Sequence, residues 1–253
     1  MTYIDILLLL GSGFLADAIN ALAGGGTIFT FSALVAVGLP AVTANATSAV
    51  SVLPGQIAST TAYRREIAKA FRRLLPFSII SAFGGILGGL LLLNTNEGAF
   101  RALVPFLILF ATVLFMLAPR IATLGERMAA RRRSNAPGPL ATSLQGLVAI
   151  YGGYFGAGMG IMMLASLSLT EGRDFHALNA AKNWLACIMQ GLAVVVFIVS
   201  GAIDYRAVAI VATASILGGW GSVVVGRLVP QHLIRWFVIA TGLALSAWYF
   251  ILG

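Results

Sequence analysis

The chain has 253 residues, of which 59% are apolar and only 9% charged, with a mean hydropathy of +0.96. A soluble domain needs a wet surface in which about a quarter of all residues are Asp, Glu, Lys or Arg, so this composition excludes one and makes the lipid bilayer the expected partner. The net charge of +8 is distributed by membrane side, and no nucleic-acid partner is expected.

Ten hydrophobic elements are predicted, at about 3–22, 26–38, 42–62, 71–93, 100–118, 139–157, 159–170, 176–199, 205–226 and 232–252. A full bilayer crossing by a helix takes roughly 20 residues, so six to ten of them cross. The start, Met1-Thr2-Tyr3-Ile4-Asp5, has no basic leader, and no cleaved signal peptide is expected. The first element carries the only acid well inside an apolar stretch, Asp17, with Asn20 beside it. Asp17 either relays a coupling proton or pairs with a basic side chain.

The second element is too short to span, and Ala23-Gly24-Gly25-Gly26-Thr27 precedes it. The seventh, equally short, follows Gly156-Ala157-Gly158-Met159-Gly160. Glycine permits positive φ and close backbone approach, so elements one and two of each half are read as re-entrant hairpins or broken helices. Such backbone is tolerated at membrane depth only where protein or a water-filled cavity satisfies it. The glycine runs open helices, whose N-terminal N–H groups favour an anion; the alternative is tight helix packing. No G-x-x-x-x-G-K-[ST] pattern occurs, and neither ATP hydrolysis nor an ATPase subunit is expected.

In the third element Asn45 and Gln56 stand eleven residues apart, as do Asn179 and Gln190 in the eighth. That spacing is close to three helical turns, so each pair shares a face. Ser48 joins the first pair, and Lys182, followed by Asn183, takes its place in the second. A polar stripe on an apolar span faces the protein interior, either as a cavity lining or as an interhelical hydrogen-bond network worth about 0.6 kcal/mol per bond. A lysine at a helix centre costs roughly 2.5–3.5 kcal/mol on insertion scales. Lys182 therefore either attracts an anionic substrate or snorkels to the interface. His176, six residues earlier, is an interfacial side chain or a proton shuttle. Trp184, Trp220, Trp236 and Trp248 are packing or interfacial anchors, and the lone Cys187 excludes an intramolecular disulfide.

Sidedness follows if each element reverses direction and the loop at 64–73 is cytoplasmic. That side then holds Arg64, Arg65, Lys69, Arg72, Arg73, Arg120, Arg127, Arg131, Arg132, Arg133, Arg173, Lys182, Arg227 and Arg235, and the outer side only Arg101 and Arg206. Cytoplasmic loops are enriched in Lys and Arg. Arg131-Arg132-Arg133 is thus a topogenic run, with anionic lipid as a secondary contact.

Laid on itself with a shift of 134, the sequence pairs Ala23-Gly24 with Ala157-Gly158, Gly26 with Gly160, Asn45-Ala46 with Asn179-Ala180 and Gln56 with Gln190. The register continues through Arg72 with Arg206, Ser81 with Ser215, Gly84-Gly85 with Gly218-Gly219 and Arg101 with Arg235. Five elements per half invert the second half relative to the first, and the sidedness of Arg72, Arg101 and their mates agrees. The expected fold is an all-α polytopic membrane protein: a first inverted repeat (1–118), a cytoplasmic linker (119–138) and a second inverted repeat (139–253), forming one membrane domain. Inverted repeats are typical of secondary transporters, which bind substrate near the midplane between them.

Gly13-Phe14-Leu15-Ala16-Asp17, Gly24-Gly25-Gly26-Thr27, Gly38-Leu39-Pro40 and Ala44-Asn45-Ala46-Thr47-Ser48 resemble the sulfite exporter TauE/SafE family. The second-half copy, Gly156 to Gly160 with Asn179-Ala180-Ala181-Lys182-Asn183, fits the same pattern, as do Ile203-Asp204-Tyr205-Arg206 and Gly218-Gly219-Trp220-Gly221. The resemblance covers nearly the whole chain. It implies an inner-membrane permease for small sulfur oxyanions and organosulfonates, coupled to the proton gradient. The expected substrate site comprises Gly24, Gly25, Gly26, Thr27, Asn45, Ser48, Gln56, Gly158, Gly160, Asn179, Lys182, Asn183 and Gln190. Asp17 and His176 are the proton-coupling candidates. A passive anion channel is the alternative function. An enzyme or assembly subunit is disfavoured: two histidines in separate segments and one cysteine offer no catalytic cluster, and no metal or cofactor is expected.

Overall fold

In the computed structural model, residues 1–22, 25–130, 139–168, 175–228 and 231–252 are described, and all their regular structure is helical. The helices are α1 (Tyr3–Leu22), α2 (Thr27–Ala36), α3 (Ala41–Ala62), α4 (Arg64–Asn94), α5 (Glu97–Ala130), α6 (Pro139–Tyr154), α7 (Met159–Ser168), α8 (Phe175–Val199), α9 (Tyr205–Leu228) and α10 (Gln231–Leu252). Each coincides with one predicted element, and α2 and α7 are short, as expected.

Two boundaries differ. α4 begins at Arg64 instead of near 71, so the basic stretch taken for a loop is the first two turns of a helix. α5 runs on to Ala130, which makes the first part of the 119–138 stretch helical. Both extensions are rich in Ala, Arg, Glu and Leu, good helix formers whose charge hides them from a hydrophobicity reading. Arg131-Arg132-Arg133 lie outside the described residues.

Local chemistry fixes several helix starts. Thr2 and Asp5 form a reciprocal capping box at α1: Thr2 N–H donates to Asp5 Oδ2 at 2.6 Å, and Asp5 N–H donates to Thr2 Oγ1 at 3.3 Å. Asn96 Oδ1 accepts the Ala99 N–H at 2.7 Å, and Asp204 Oδ1 the Ala207 N–H at 2.8 Å, which starts α5 and α9. α3 begins after Pro40, which has no side-chain acceptor, and the cap comes from another helix. The Glu97 carboxylate receives the N–H groups of Ala41 and Val42. Within α3, Pro54 has no N–H to give the carbonyl four residues back, which loosens the helix at its middle.

α1 packs along α9, and α6 along α4; α3 lies against α9 and α8, and α8 also against α4; α5 packs on α10 and α7. Helices from 1–118 therefore interleave with those from 139–253. Small residues allow these approaches. A Cβ at Gly84 would overlap Ala149, one at Gly85 the Met189 carbonyl, and one at Gly218 the Phe14 carbonyl. Between the helices, Phe31, Phe100, Phe155 and Phe197 centre one buried cluster, and Leu74, Phe77, Met163, Leu185 and Met189 another.

The outer face carries exposed apolar side chains, among them Tyr3, Ile4, Leu7, Phe83, Phe106, Val199, Trp236, Trp248 and Ile251. In water such a surface would drive aggregation; in lipid it is the expected exterior. Four helical stretches among the described residues, Tyr3–Asn20, Arg64–Asn94, Glu97–Leu117 and Ala177–Val199, are long and apolar enough to cross a membrane, with shorter apolar stretches at Thr27–Ala36, Tyr205–Gly219 and Arg235–Ile251.

Candidate functional site

α1, α2, α3, α7, α8 and α9 meet around a cavity of about 60 Å³. One water needs roughly 10–15 Å³, so a few water-sized groups fit, comparable to a small oxyanion. The wall includes Asp17 and Asn20 from α1, Gly25 and Thr27 at the opening of α2, and Gly55, Gln56 and Ser59 from α3. The other half contributes Gly156, Met159 and Gly160 around the start of α7, Lys182, Asn183 and Gln190 from α8, and Gly219 from α9. The first residues of both short helices thus line one cavity.

The turns that deliver these helices need glycine. Gly25 and Gly158 have φ of +91° and +74°, a region side-chain-bearing residues rarely enter. Gly26 is required for space, because a Cβ there would overlap the Ala16 carbonyl. The Gly26 N–H is already engaged, donating to Asn20 Oδ1 at 2.7 Å. Asn20 in turn donates through Nδ2 to Asp17 Oδ1 at 3.5 Å. A short relay therefore ties the α1 carboxylate to the start of α2.

Asp17 is 4% exposed; besides Asn20, the Ser215 hydroxyl stands beside its carboxylate, and Oδ2 is sealed from solvent. That oxygen lies against Gly55, where a Cβ would overlap it. Lys182, partly buried and about two turns into α8, lines the same cavity, and its Cδ lies 3.6 Å from where a Cβ on Gly160 would stand. No ion pair joins Lys182 to Asp17 among the described residues.

Of the predicted site residues, Gly25, Thr27, Gln56, Gly160, Lys182, Asn183 and Gln190 line this cavity together, and Asp17 joins them. Asn45 and Ser48 line a neighbouring pocket of about 10 Å³, which shares Thr27, Gly156 and Gln190 with the first. Their side chains hold helices together. Asn45 Nδ2 donates to the Tyr154 carbonyl at 2.8 Å, closing the end of α6, and Ser48 Oγ is 2.6 Å from Thr30 Oγ1. Gln190 does both: Nε2 donates to the Ala49 carbonyl at 3.1 Å, and the residue faces the cavity. Asn179 is buried with a partner of its own, and it and Gly158 lie off the cavity wall. Gly24 and the His176 side chain lie outside the described residues. Trp184 packs as expected, with Nε1 donating to Ser78 Oγ at 2.9 Å.

Sequence reasoning left Asn20, Gly55, Ser59 and Gly219 out of the site. Asn20 was detectable as a polar residue three positions after Asp17, on the same helix face. Gly55 and Gly219 had no signal beyond being glycines in a glycine-rich chain. Among the described residues no group of three or more His, Cys, Asp or Glu could hold a metal ion.

The family model for sulfite exporter TauE/SafE matches residues 9–249. A probable membrane transporter protein of Haemophilus influenzae is 33% identical over 168 residues, covering 66% of this chain and 64% of that protein. Probable membrane transporter protein ORF9 of Sinorhizobium sp. is 27% identical over 172 residues, covering 68% of this chain and 63% of that protein. The chain thus spans a little under two thirds of these two relatives. Probable membrane transporter protein YfcA of Escherichia coli K12 is 28% identical over 238 residues, 92% of this chain and 85% of that protein. No solved structure matches the chain.

Proposed function

The chain belongs to the sulfite exporter TauE/SafE family, and on that premise we propose that it is a secondary-active transporter of a small anion across the cytoplasmic membrane. The substrate is sulfite, an organosulfonate or a related sulfur oxyanion, moved by alternating access and coupled to protons. The observation that carries this reading is the cavity itself: the openings of both short helices and Lys182 line it together. Helix N-termini and a lysine favour an anion there. Asp17, 4% exposed on the same wall, is the coupling group, and the cytoplasmic membrane with the 119–138 stretch inside is the location.

Alternating access is supported by the helix pairing. Exchanging α1–α5 for α6–α10 turns the α1–α9 pair into α6–α4, α3–α9 into α8–α4, and α2–α3 into α7–α8, all of which occur. The α5–α10 and α3–α8 pairs map onto themselves. A Cβ at Gly85 would overlap the Met189 carbonyl, and at a shift of 134 a Cβ at Gly219 would stand 3.9 Å from Gly55 Cα, so the counterparts are neighbours too. Two inverted repeats around a midplane site are the arrangement that rocks between inward- and outward-open states.

The test is thermal stabilisation of the detergent-purified protein by sulfite, sulfate, ethanesulfonate, acetate and chloride at constant ionic strength, for wild type and Lys182→Ala. A ligand specific to the folded state stabilises by RT ln(1 + [L]/Kd). Sulfur oxyanions are expected to raise the melting temperature of wild type selectively and to lose most of that effect in the variant. An unchanged affinity in Lys182→Ala sinks the role given to that residue. In vesicles, flux that is saturable and needs a proton gradient fits the carrier; uncoupled, non-saturating flux fits a channel.

A further inference from the structure

We propose that the groove between the start of α5 and the end of α10 binds one anionic phospholipid, its phosphate on Arg101 and its chains over Phe106 and Phe250. Such binding needs only a membrane around the protein and is independent of what the central cavity carries. α5 and α10 run antiparallel and are held close at two points. A Cβ at Gly242 would overlap Thr112 Oγ1, and Ser246 Oγ donates to the Pro105 carbonyl at 2.9 Å. Beyond them a groove of about 370 Å³ opens, lined by Gly98, Arg101, Ala102 and Phe106 of α5 and by Tyr249 and Phe250 of α10. Phe106 and Phe250 are 57% and 49% exposed and pack edge to face, their ring centroids 4.9 Å apart. They give the groove an apolar floor on the lipid side of the helix pair.

Arg101 supplies the charge. It is exposed in the second turn of α5, and no hydrogen bond or ion pair engages it among the described residues. Glu97, one turn earlier, is committed to the N–H groups that open α3, and no acid lines the groove. At the shift of 134, Arg101 matches Arg235 and Met116 matches Phe250. Arg235 donates to the Met116 carbonyl at 2.7 Å at the far end of the same helix pair. The equivalent bond from Arg101 to the Phe250 carbonyl is not made among the described residues, and the groove stands in its place.

The occupant must therefore carry a negative charge at the helix ends and apolar length beneath it. Along α5, Arg101 lies roughly 7 Å nearer the end of the membrane-crossing stretch than Phe106, at about 1.5 Å per residue. A phospholipid has that layout, and a guanidinium matches phosphate oxygens with paired donors. A zwitterionic lipid would also bring an ammonium, for which the groove offers no carboxylate. A second copy of the chain, docked by two-fold symmetry, would bring a second Arg101 with no acid for either.

The experiment titrates phosphatidylglycerol into mixed micelles of detergent and phosphatidylcholine that hold the purified full chain, at constant ionic strength. Melting temperature and the lipid retained in native mass spectrometry are read. Phosphatidylglycerol is expected to stabilise wild type more than added phosphatidylcholine does, with one molecule retained. Arg101→Gln weakens its apparent affinity about fivefold, the contribution of one basic residue at an anionic membrane surface. Ala102→Phe, which fills the groove and keeps the charge, also weakens it, whereas Arg206→Gln, which removes the other arginine predicted on that side, does not. Equal stabilisation of wild type by the two lipids overturns the site. So does an equal loss in Arg101→Gln and Arg206→Gln, which is the mark of diffuse surface charge. A stable dimer that Ala102→Phe dissociates would give the groove to a second copy instead.

Discussion

A methyl group at position 55 would overlap the Asp17 carboxylate, so Gly55→Ala probes where that carboxylate sits. We expect the variant to lower the melting temperature by several degrees and to impair transport. In an Asp17→Ala background, where the obstructing oxygens are gone, the penalty is expected to fall by about 1 kcal/mol or more, since residues in contact couple while distant ones add. Equal penalties in both backgrounds would mean that the carboxylate does not lie against α3. The charged members of the site were legible in the sequence because an acid or a lysine inside an apolar run is expensive and demands a reason. Asn45 and Ser48 were legible as inward-facing, but a helical face does not say whether it meets space or another helix. Here it meets the Tyr154 carbonyl and Thr30 across a pocket too small for a substrate.

At the scale of elements, the link between α3 and α5 invites a test. Glu97 stands at the start of α5 and caps the first N–H groups of α3. Glu97→Gln keeps one acceptor oxygen but loses the charge that complements the helix dipole. Thermal or denaturant unfolding should show a loss of about 1 kcal/mol, and Glu97→Ala a larger one. If neither variant shifts stability, α3 is held at its start by packing alone. This cross-helix cap was invisible beforehand, because its partners are 55 and 56 residues apart and only the fold joins them. The helices themselves were readable to within a few residues wherever apolar runs ended in Gly, Pro, Asn or Asp. The reading failed at the basic start of α4 and the charged end of α5, where a helix continues past its apolar part and nothing in hydropathy marks the difference.

For the whole molecule, the distribution of arginines predicts an orientation that labelling can check. In a Cys187→Ser background, single cysteines at Ser200 and Thr123, both exposed, are expected on opposite sides. An impermeant thiol reagent applied to intact cells should modify position 200 and spare position 123, following the positive-inside rule. Labelling of both from outside, or the reverse pattern, would refute the orientation. The interleaving of the two halves is a separate matter. It follows from which helices touch, and the internal register of the sequence anticipated it only as a symmetry, since a shift of 134 names equivalent positions without saying which of them meet.

On the cavity wall Asp17 comes from α1 and Lys182 from α8, so the acid and the base come from different halves of the chain. The position matching Lys182 in the first half is Ser48, and the one matching Asp17 in the second is Tyr151. A pair of identical first halves would face two carboxylates toward each other, and a pair of second halves two lysines. Joining unequal copies in one polypeptide removes that constraint. In the inverted-repeat arrangement proposed above, the difference between the halves at these two positions sets one acid and one lysine on the wall, where two copies of either half would set a like pair.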